Sequence, residues 1–181
     1  YNSKNMNFLT LENVNNIFMY NDFNYNSLNG LTVKSNVNGL GLGFALDDDR
    51  TALLLDGSNI DLDFINVQVV ALQRGSAADG LSSYIKTTTN YTANSQVNLF
   101  NSDYWGYAGE SGIVMDGAGT VNLQGANFQH SGVGSFANVD NGHLNVIASV
   151  VNNANSGTTY NGTATGNIST VGTIIDGNAT G

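Results

Sequence analysis

Apolar and polar positions alternate along this chain in short bursts, and the bursts return at a fixed distance. In GTVNLQGANFQ, residues 119–129, apolar or small side chains stand at Val121, Leu123, Ala126 and Phe128. In GHLNVIASVVN they stand at Leu144, Val146, Ser149 and Val151, each 23 residues further on. The same skeleton lies 24 residues upstream at Val97, Leu99, Ser102 and Tyr104, and 24 downstream at Ile168, Thr170, Thr173 and Ile175. A further copy reads as Ile60, Leu62, Ile65 and Val67, 37 residues before the Val97 copy. Two more polar copies open the chain, at Leu9, Leu11, Val14 and Asn16, then at Leu31, Val33, Asn36 and Asn38. A second signal runs eight residues ahead of the first, at Ala52 and Leu54, Ile113 and Met115, and Phe136 and Asn138. Turn formers such as Asp56-Gly57-Ser58 and Asp140-Asn141-Gly142 separate the two. Each repeat therefore predicts at least two short strands of period 2 joined by a tight turn, with room for a third in the remainder.

A unit of 22 to 24 residues cannot bury its apolar side chains alone, whereas stacked copies share a continuous core and pair their backbones. The expected fold is an all-β solenoid of about seven coils. At a strand spacing of roughly 4.8 Å it would stand roughly 34 Å tall. The repeat runs through residues 1–181 as one domain, with loop insertions expected near 39–50 and 68–95. The end coils would present unpaired edges. The pattern continues to the last residues and the chain opens on Tyr1, so it reads as a segment of a longer chain with flanking modules, or as a stack completed in an oligomer.

Composition agrees with many turns: 29 Asn, 22 Gly, no Pro and no Cys in 181 residues. Asn and Gly tolerate the left-handed backbone that tight turns need. A net charge of −9 with five Lys and Arg argues against a nucleic-acid partner. No apolar run is long enough for membrane insertion as a helix. Thiolate chemistry is excluded.

The run V-x-L-x-x-A-x-F, followed by a Gly-containing turn and a new coil 23 or 24 residues on, resembles the single-stranded right-handed parallel β-helix of the pectate-lyase superfamily. That group holds polysaccharide lyases, β-helical glycoside hydrolases and phage tailspikes. The resemblance implies an extracellular, cell-surface or virion location, a polysaccharide partner, and a homotrimer in the tailspike case. Autotransporter passengers and related adhesins share the fold and the Asn and Gly richness. The N-T-D, D-D, G-H-G, R-I-K series of polygalacturonases is not completed after Asp47-Asp48-Asp49, and the Arg and acid cluster of pectate lyases is absent. No catalytic residue is carried over from either.

In a solenoid of near-equivalent coils, function is expected where the repeat is interrupted. NGLGLGFALDDDR, residues 38–50, carries Asp47, Asp48, Asp49 and Arg50. Residues 73–95 carry Arg74, Asp79, Tyr84 and Lys86, and YWGYAGES carries Trp105, Tyr107 and Glu110. Counted from the preceding strand, these segments and Gln129-His130 leave one side of successive coils. Carboxylates, an Arg, aromatic rings and a His on one side suit a sugar, whose C–H faces pack on rings and whose hydroxyls bond to Asp, Asn and Arg. Cleavage would need a protonated and an ionised carboxyl roughly 5 to 10 Å apart. Candidates for that pair are Asp48, Asp49, Asp79 and Glu110; candidates for substrate binding are Arg74, Trp105, Tyr107 and His130. The bland readings compete: a solvated turn for the Asp triplet, a wedge beneath a loop for Trp105, a hydrogen-bonded turn residue for His130. A Ca²⁺ site at the triplet is disfavoured by Arg50 and by the lack of an EF-hand spacing, so neither a metal nor a cofactor is expected. The leading expectation is a β-helix that binds a polysaccharide, with catalysis as hydrolase or lyase left open. The alternative is a non-catalytic adhesin or structural spacer.

Overall fold

The computed structural model describes residues 6–25, 28–47, 50–71, 83–108, 111–132, 135–153, 160–163, 165–175 and 178–179. Of residues 23–25, 71, 107, 108, 130–132, 153, 178 and 179 it describes the backbone alone. Within this set the chain is entirely strand and turn, and each turn of the coil contributes three strands. Coil 1 comprises β1 (Leu9–Leu11), β2 (Val14–Tyr20) and β3 (Phe23–Tyr25). Coil 2 comprises β4 (Asn29–Val33), β5 (Val37–Leu42) and β6 (Ala45–Asp47). Coil 3 comprises β7 (Thr51–Leu55), β8 (Ile60–Ile65) and β9 (Gln68–Ala71). Coil 4 comprises β10 (Ser83–Thr87), β11 (Gln96–Phe100) and β12 (Asp103–Ala108). Coil 5 comprises β13 (Ile113–Met115), β14 (Thr120–Gln124) and β15 (Asn127–Gly132). Coil 6 comprises β16 (Ala137–Val139), β17 (Gly142–Ile147) and β18 (Val150–Asn153). Coil 7 comprises β19 (Tyr160–Gly162), β20 (Gly166–Val171) and β21 (Ile174–Ile175), and β22 (Asn178–Ala179) folds back antiparallel on β21.

Every third strand pairs in parallel with its counterpart on the next coil, which makes three sheets and a parallel β-helix. The first sheet runs β1 to β19, the second β2 to β20, and the third β3 to β21 with β22 at its end. The recurring skeleton is the inward face of the second and third sheets. Val97 lies over Val121, Val121 over Leu144 and Leu144 over Ile168; Tyr104, Phe128, Val151 and Ile175 follow the same order. Val121, Leu123, Phe128, Leu144, Val146 and Val151 are fully buried. Rings continue the column: Tyr104 stacks on Phe128 at 4.3 Å, and Phe128 meets Phe136 edge-on at 4.6 Å.

Four sequence expectations move. The copy at Ile60 sits two residues later, as Leu62, Phe64, Val67 and Val69, because Leu62 pairs with Val97, Phe64 with Leu99 and Val69 with Tyr104. The strand's period of 2 turns Phe64 inward and leaves Ile65 half-exposed. In the two opening copies Leu9 lies over Leu31 and Leu11 over Val33, but these positions belong to the first sheet, and Val14, in the second, pairs with Val37 rather than Asn36. In that sheet the in-register pairs are Leu53 with Ile85 and Ile113 with Ala137, so the second signal stands at Leu53 and Leu55 and at Ala137 and Val139. Finally, residues 39–50 hold no insertion. Val37–Leu42 and Ala45–Asp47 are strands β5 and β6, one ordinary coil before β8 and β9.

That coil escaped the hydrophobic pattern because Gly39 and Gly41 stand where others place Val or Leu. A Cβ on Gly41 would come within 2.6 Å of the Phe64 ring and 2.8 Å of the Phe44 ring. Those two rings, edge-on at 5.9 Å, fill the space instead. The interval 68–95 is an insertion only in part: Gln68–Ala71 and Ser83–Thr87 are strands, and the extra length falls at 72–82 and 88–95.

The corners explain the Asn and Gly content. Between the second and third sheets every coil places one residue in the left-handed region: Asn21, Gly43, Asn66, Asn101, Gly125, Ala148 and Gly172, with φ from 46° to 68°. From coil 2 onward the residue after it is buried, and where that residue is Ser102, Ser149 or Thr173 the hydroxyl bonds to backbone. Ser149 Oγ donates to the Ile147 carbonyl at 2.8 Å and accepts from the Ala126 N–H at 3.0 Å. Between the first and second sheets Asn13, Asn36 and Asn59 are also left-handed. Asn36 Nδ2 donates to Asn13 Oδ1 at 2.8 Å and Asn59 Nδ2 to Asn36 Oδ1 at 3.0 Å, and Asn94 continues the ladder to Asn59.

Candidate functional site

The third corner, where the third sheet runs into the first, differs from the other two. Between consecutive strands it spends three residues after β6, eleven after β9, four after β12, four after β15 and six after β18. Asp48 and Asp49 fall in the first of these connections, Arg74 and Asp79 in the second, Glu110 in the third. Thus the chain order assigns these connections to one corner of three successive coils. Asp48, Asp49, Arg74, Asp79 and Glu110 themselves lie outside the described residues.

Trp105 is described. It stands on β12 between Val70 of β9 and Gln129 of β15, on the outer face of the third sheet, and its side chain is 39% exposed. Pairing in β12 extends to Ala108, so Trp105 and Tyr107 belong to a strand rather than to the loop after it. The same holds for Gln129 and His130, which lie in β15. Tyr107 pairs with Ser131, and His130 with Gly106, one position along from Trp105. The side chains of Tyr107 and His130 lie outside the described residues. Polar groups near the indole's strand are amide and carboxylate: Asn127 Nδ2 donates to Asp103 Oδ1 at 3.3 Å.

Beneath this corner the interior is aromatic. The Tyr84 hydroxyl donates to the Gly106 carbonyl at 2.8 Å, and the Tyr84 and Tyr104 rings lie 5.9 Å apart. Burial pushes both phenols well above the usual tyrosine range, so they stay neutral. Tyr84, expected in a loop, is a fully buried member of β10. Tyr91 is also fully buried, fixes the 88–95 turn through its hydroxyl to the Thr120 carbonyl at 2.6 Å, and is raised by the same cause.

A second surface was not singled out from sequence. The outward residues of the second sheet form columns along the stack. One runs Asn38, Asp61, Gln96, Thr120, His143, Asn167; the next Phe18, Leu40, Asp63, Asn98, Asn122, Asn145; the third Tyr20, Leu42, Ile65, Phe100, Gln124, Ile147, Val171. In the middle column Asn98 Nδ2 donates to Asp63 Oδ1, Asn122 to Asn98 and Asn145 to Asn122, each at 2.7 Å. Asn38, Asn59, Asp61, Asp63 and Asn94 line an open polar groove beside it. The signal was present as the central Asn of VNL, VNL and LNV at the coil spacing.

Among the described residues no group of three His, Asp or Glu side chains is placed to hold a metal ion, and no helix is long and apolar enough to cross a membrane. Compared with family models, with curated proteins and with solved structures, the chain matches none.

Proposed function

We propose that this chain is a right-handed, pectate-lyase-like β-helix of a cell-surface, extracellular or virion protein that binds a polysaccharide along its third corner. One observation carries the reading: an exposed indole, Trp105, stands on β12, and the connections bearing Asp48 and Asp49, Arg74 and Asp79, and Glu110 follow β6, β9 and β12 of that same sheet. A flat ring offers a platform for a sugar's C–H face, and the flanking carboxylates and guanidinium offer bonds to its hydroxyls. Hydrolysis at this corner requires two of the four acids at roughly 5 to 10 Å across the glycosidic bond. A glycan array and a reducing-end assay on the chain, repeated with Trp105→Ala, Asp48→Asn, Asp79→Asn and Glu110→Gln, test it. Binding lost with Trp105→Ala supports the site, and product lost with an acid variant while binding persists supports catalysis. No binding to any glycan removes the proposal.

The alternative, a non-catalytic adhesin or spacer, is favoured by a different observation. Asn ladders link the coils side chain to side chain on two corners or faces, which suits a stiff rod. In that case Trp105→Ala leaves adhesion unchanged.

A further inference from the structure

We propose that the outer face of the second sheet is a separate binding surface for a neutral, extended glycan lying along the stack axis. The inference shares the ligand class of the preceding reading and none of its residues. Phe18 and Tyr20 alternate outward on β2, each 63% exposed, with ring centroids 6.5 Å apart and planes 10° from parallel. Two near-parallel rings exposed to water form an apolar patch that a ligand's C–H groups cover favourably. Leu40 and Leu42 carry that platform onto the next coil, opposite Phe18 and Tyr20 in the ladder.

Beside the platform the chemistry changes within one coil. Leu40 is followed in its column by Asp63, and the groove of Asn38, Asn59, Asp61, Asp63 and Asn94 opens there. An Asn in a ladder uses one N–H and one lone pair on its neighbours and keeps a second of each for a ligand. The face therefore offers, at the coil spacing of roughly 4.8 Å, an apolar contact next to a donor and an acceptor. A chain of pyranose rings presents the matching sequence: C–H faces beside hydroxyls that both donate and accept.

Charge narrows the ligand. Asp61 and Asp63 lie on this face, and none of its outward columns carries a Lys or Arg. Uronate or sulfated polymers would meet like charge. Hydroxyl donors, in contrast, find acceptors.

Affinity electrophoresis of the chain tests this in gels cast with xylan, mannan, mixed-linkage β-glucan or dextran, against gels with polygalacturonate or alginate. At least one neutral gel should retard the chain, and the two anionic gels should not. The double variant Phe18→Ala/Tyr20→Ala should weaken retardation at least tenfold, Ile65→Ser should weaken it less, and Trp105→Ala should leave it unchanged. Exposed rings contribute little to the core, so circular dichroism should show the double variant folded; if it is not, Ile65→Ser alone decides. Retardation in no neutral gel, retardation by the anionic polymers, or an unaffected double variant would overturn the proposal. Loss with Trp105→Ala alone would keep the third-corner reading and sink this one. A concentration-dependent dimer in sedimentation, abolished by the double variant with gel mobility unchanged, would make the face a contact between copies and also overturn it.

Discussion

Two corners of the same coil behave in opposite ways. The corner between the second and third sheets spends one left-handed residue in all seven coils, from Asn21 to Gly172. The corner between the third and first sheets varies from three residues to eleven and carries every acid candidate. The difference is a division of labour set by register. A strand inserts its side chains on alternate faces, so one added residue at the tight corner would exchange inside for outside along the whole third sheet of that coil. At the variable corner the chain leaves one strand and enters another with no such constraint. Loop length there costs little, because closure entropy rises only slowly with length.

The sharpest way to break the comparison is an insertion. One Gly added between Asn101 and Ser102 should turn Trp105 inward and Tyr104 outward, and abolish the cooperative thermal transition seen by circular dichroism. Two residues added at 133–134, in the variable corner, should shift that transition by only a few degrees. Equal effects at both corners would refute the division.

Coil 4 provides the next largest effect, since Tyr84, Tyr91 and Tyr104 all belong to it and burial raises all three. An unfolded tyrosine releases its proton near pH 10, whereas the buried phenols hold theirs. The unfolded state then binds fewer protons, so stability falls as pH rises above about 10. The slope approaches about 1.4 kcal/mol per pH unit for each such tyrosine. Urea unfolding between pH 9 and 11 measures it, and Tyr104→Phe should reduce the slope.

Smaller changes sharpen the tight corner itself. Gly125 has φ +65°, and a Cβ there would come within 2.7 Å of Asn101 Oδ1. Gly125→Val should cost about 2 kcal/mol in urea unfolding, as a branched side chain in the left-handed region. Ala148, at φ 46°, is the member of this column without a residue type suited to it. Ala148→Gly should raise stability by about 0.5–1 kcal/mol, the smallest effect of the set.

Much of the fold was legible from residues alone. The skeleton from Val97 to Ile175 identified true inward positions, because apolar alternation and the coil spacing are both local properties of the sequence. It failed where a neighbour's side chain does the filling. Gly39 and Gly41 carry no apolar signal, yet they pair with the inward Leu62 and Phe64, because Phe44 and Phe64 occupy the space at Gly41 and Ile17 that at Gly39. Without that coil, the Leu9 and Leu31 segments were matched to the wrong sheet and an insertion appeared at 39–50. For the candidate site, the chain order assigns the acid-bearing connections to one corner, since connections after equivalent strands leave together; the acids themselves lie outside the described residues. Trp105 being in a strand, and Tyr84 in the core, depended on pairing.

What the sequence by itself determined is the repeat, its paired short strands and the turn chemistry: period-2 alternation and left-handed Asn and Gly act within a few residues. Tertiary structure decided the register of each coil against the next and the outer columns that follow from it. Leu40 and Leu42 beside Phe18 and Tyr20, and Asp63 joined through Asn98 and Asn122 to Asn145, become surfaces only when strands some two dozen or more residues apart lie side by side. The hydrogen bonds of that ladder exist between coils, and no single stretch of chain contains them.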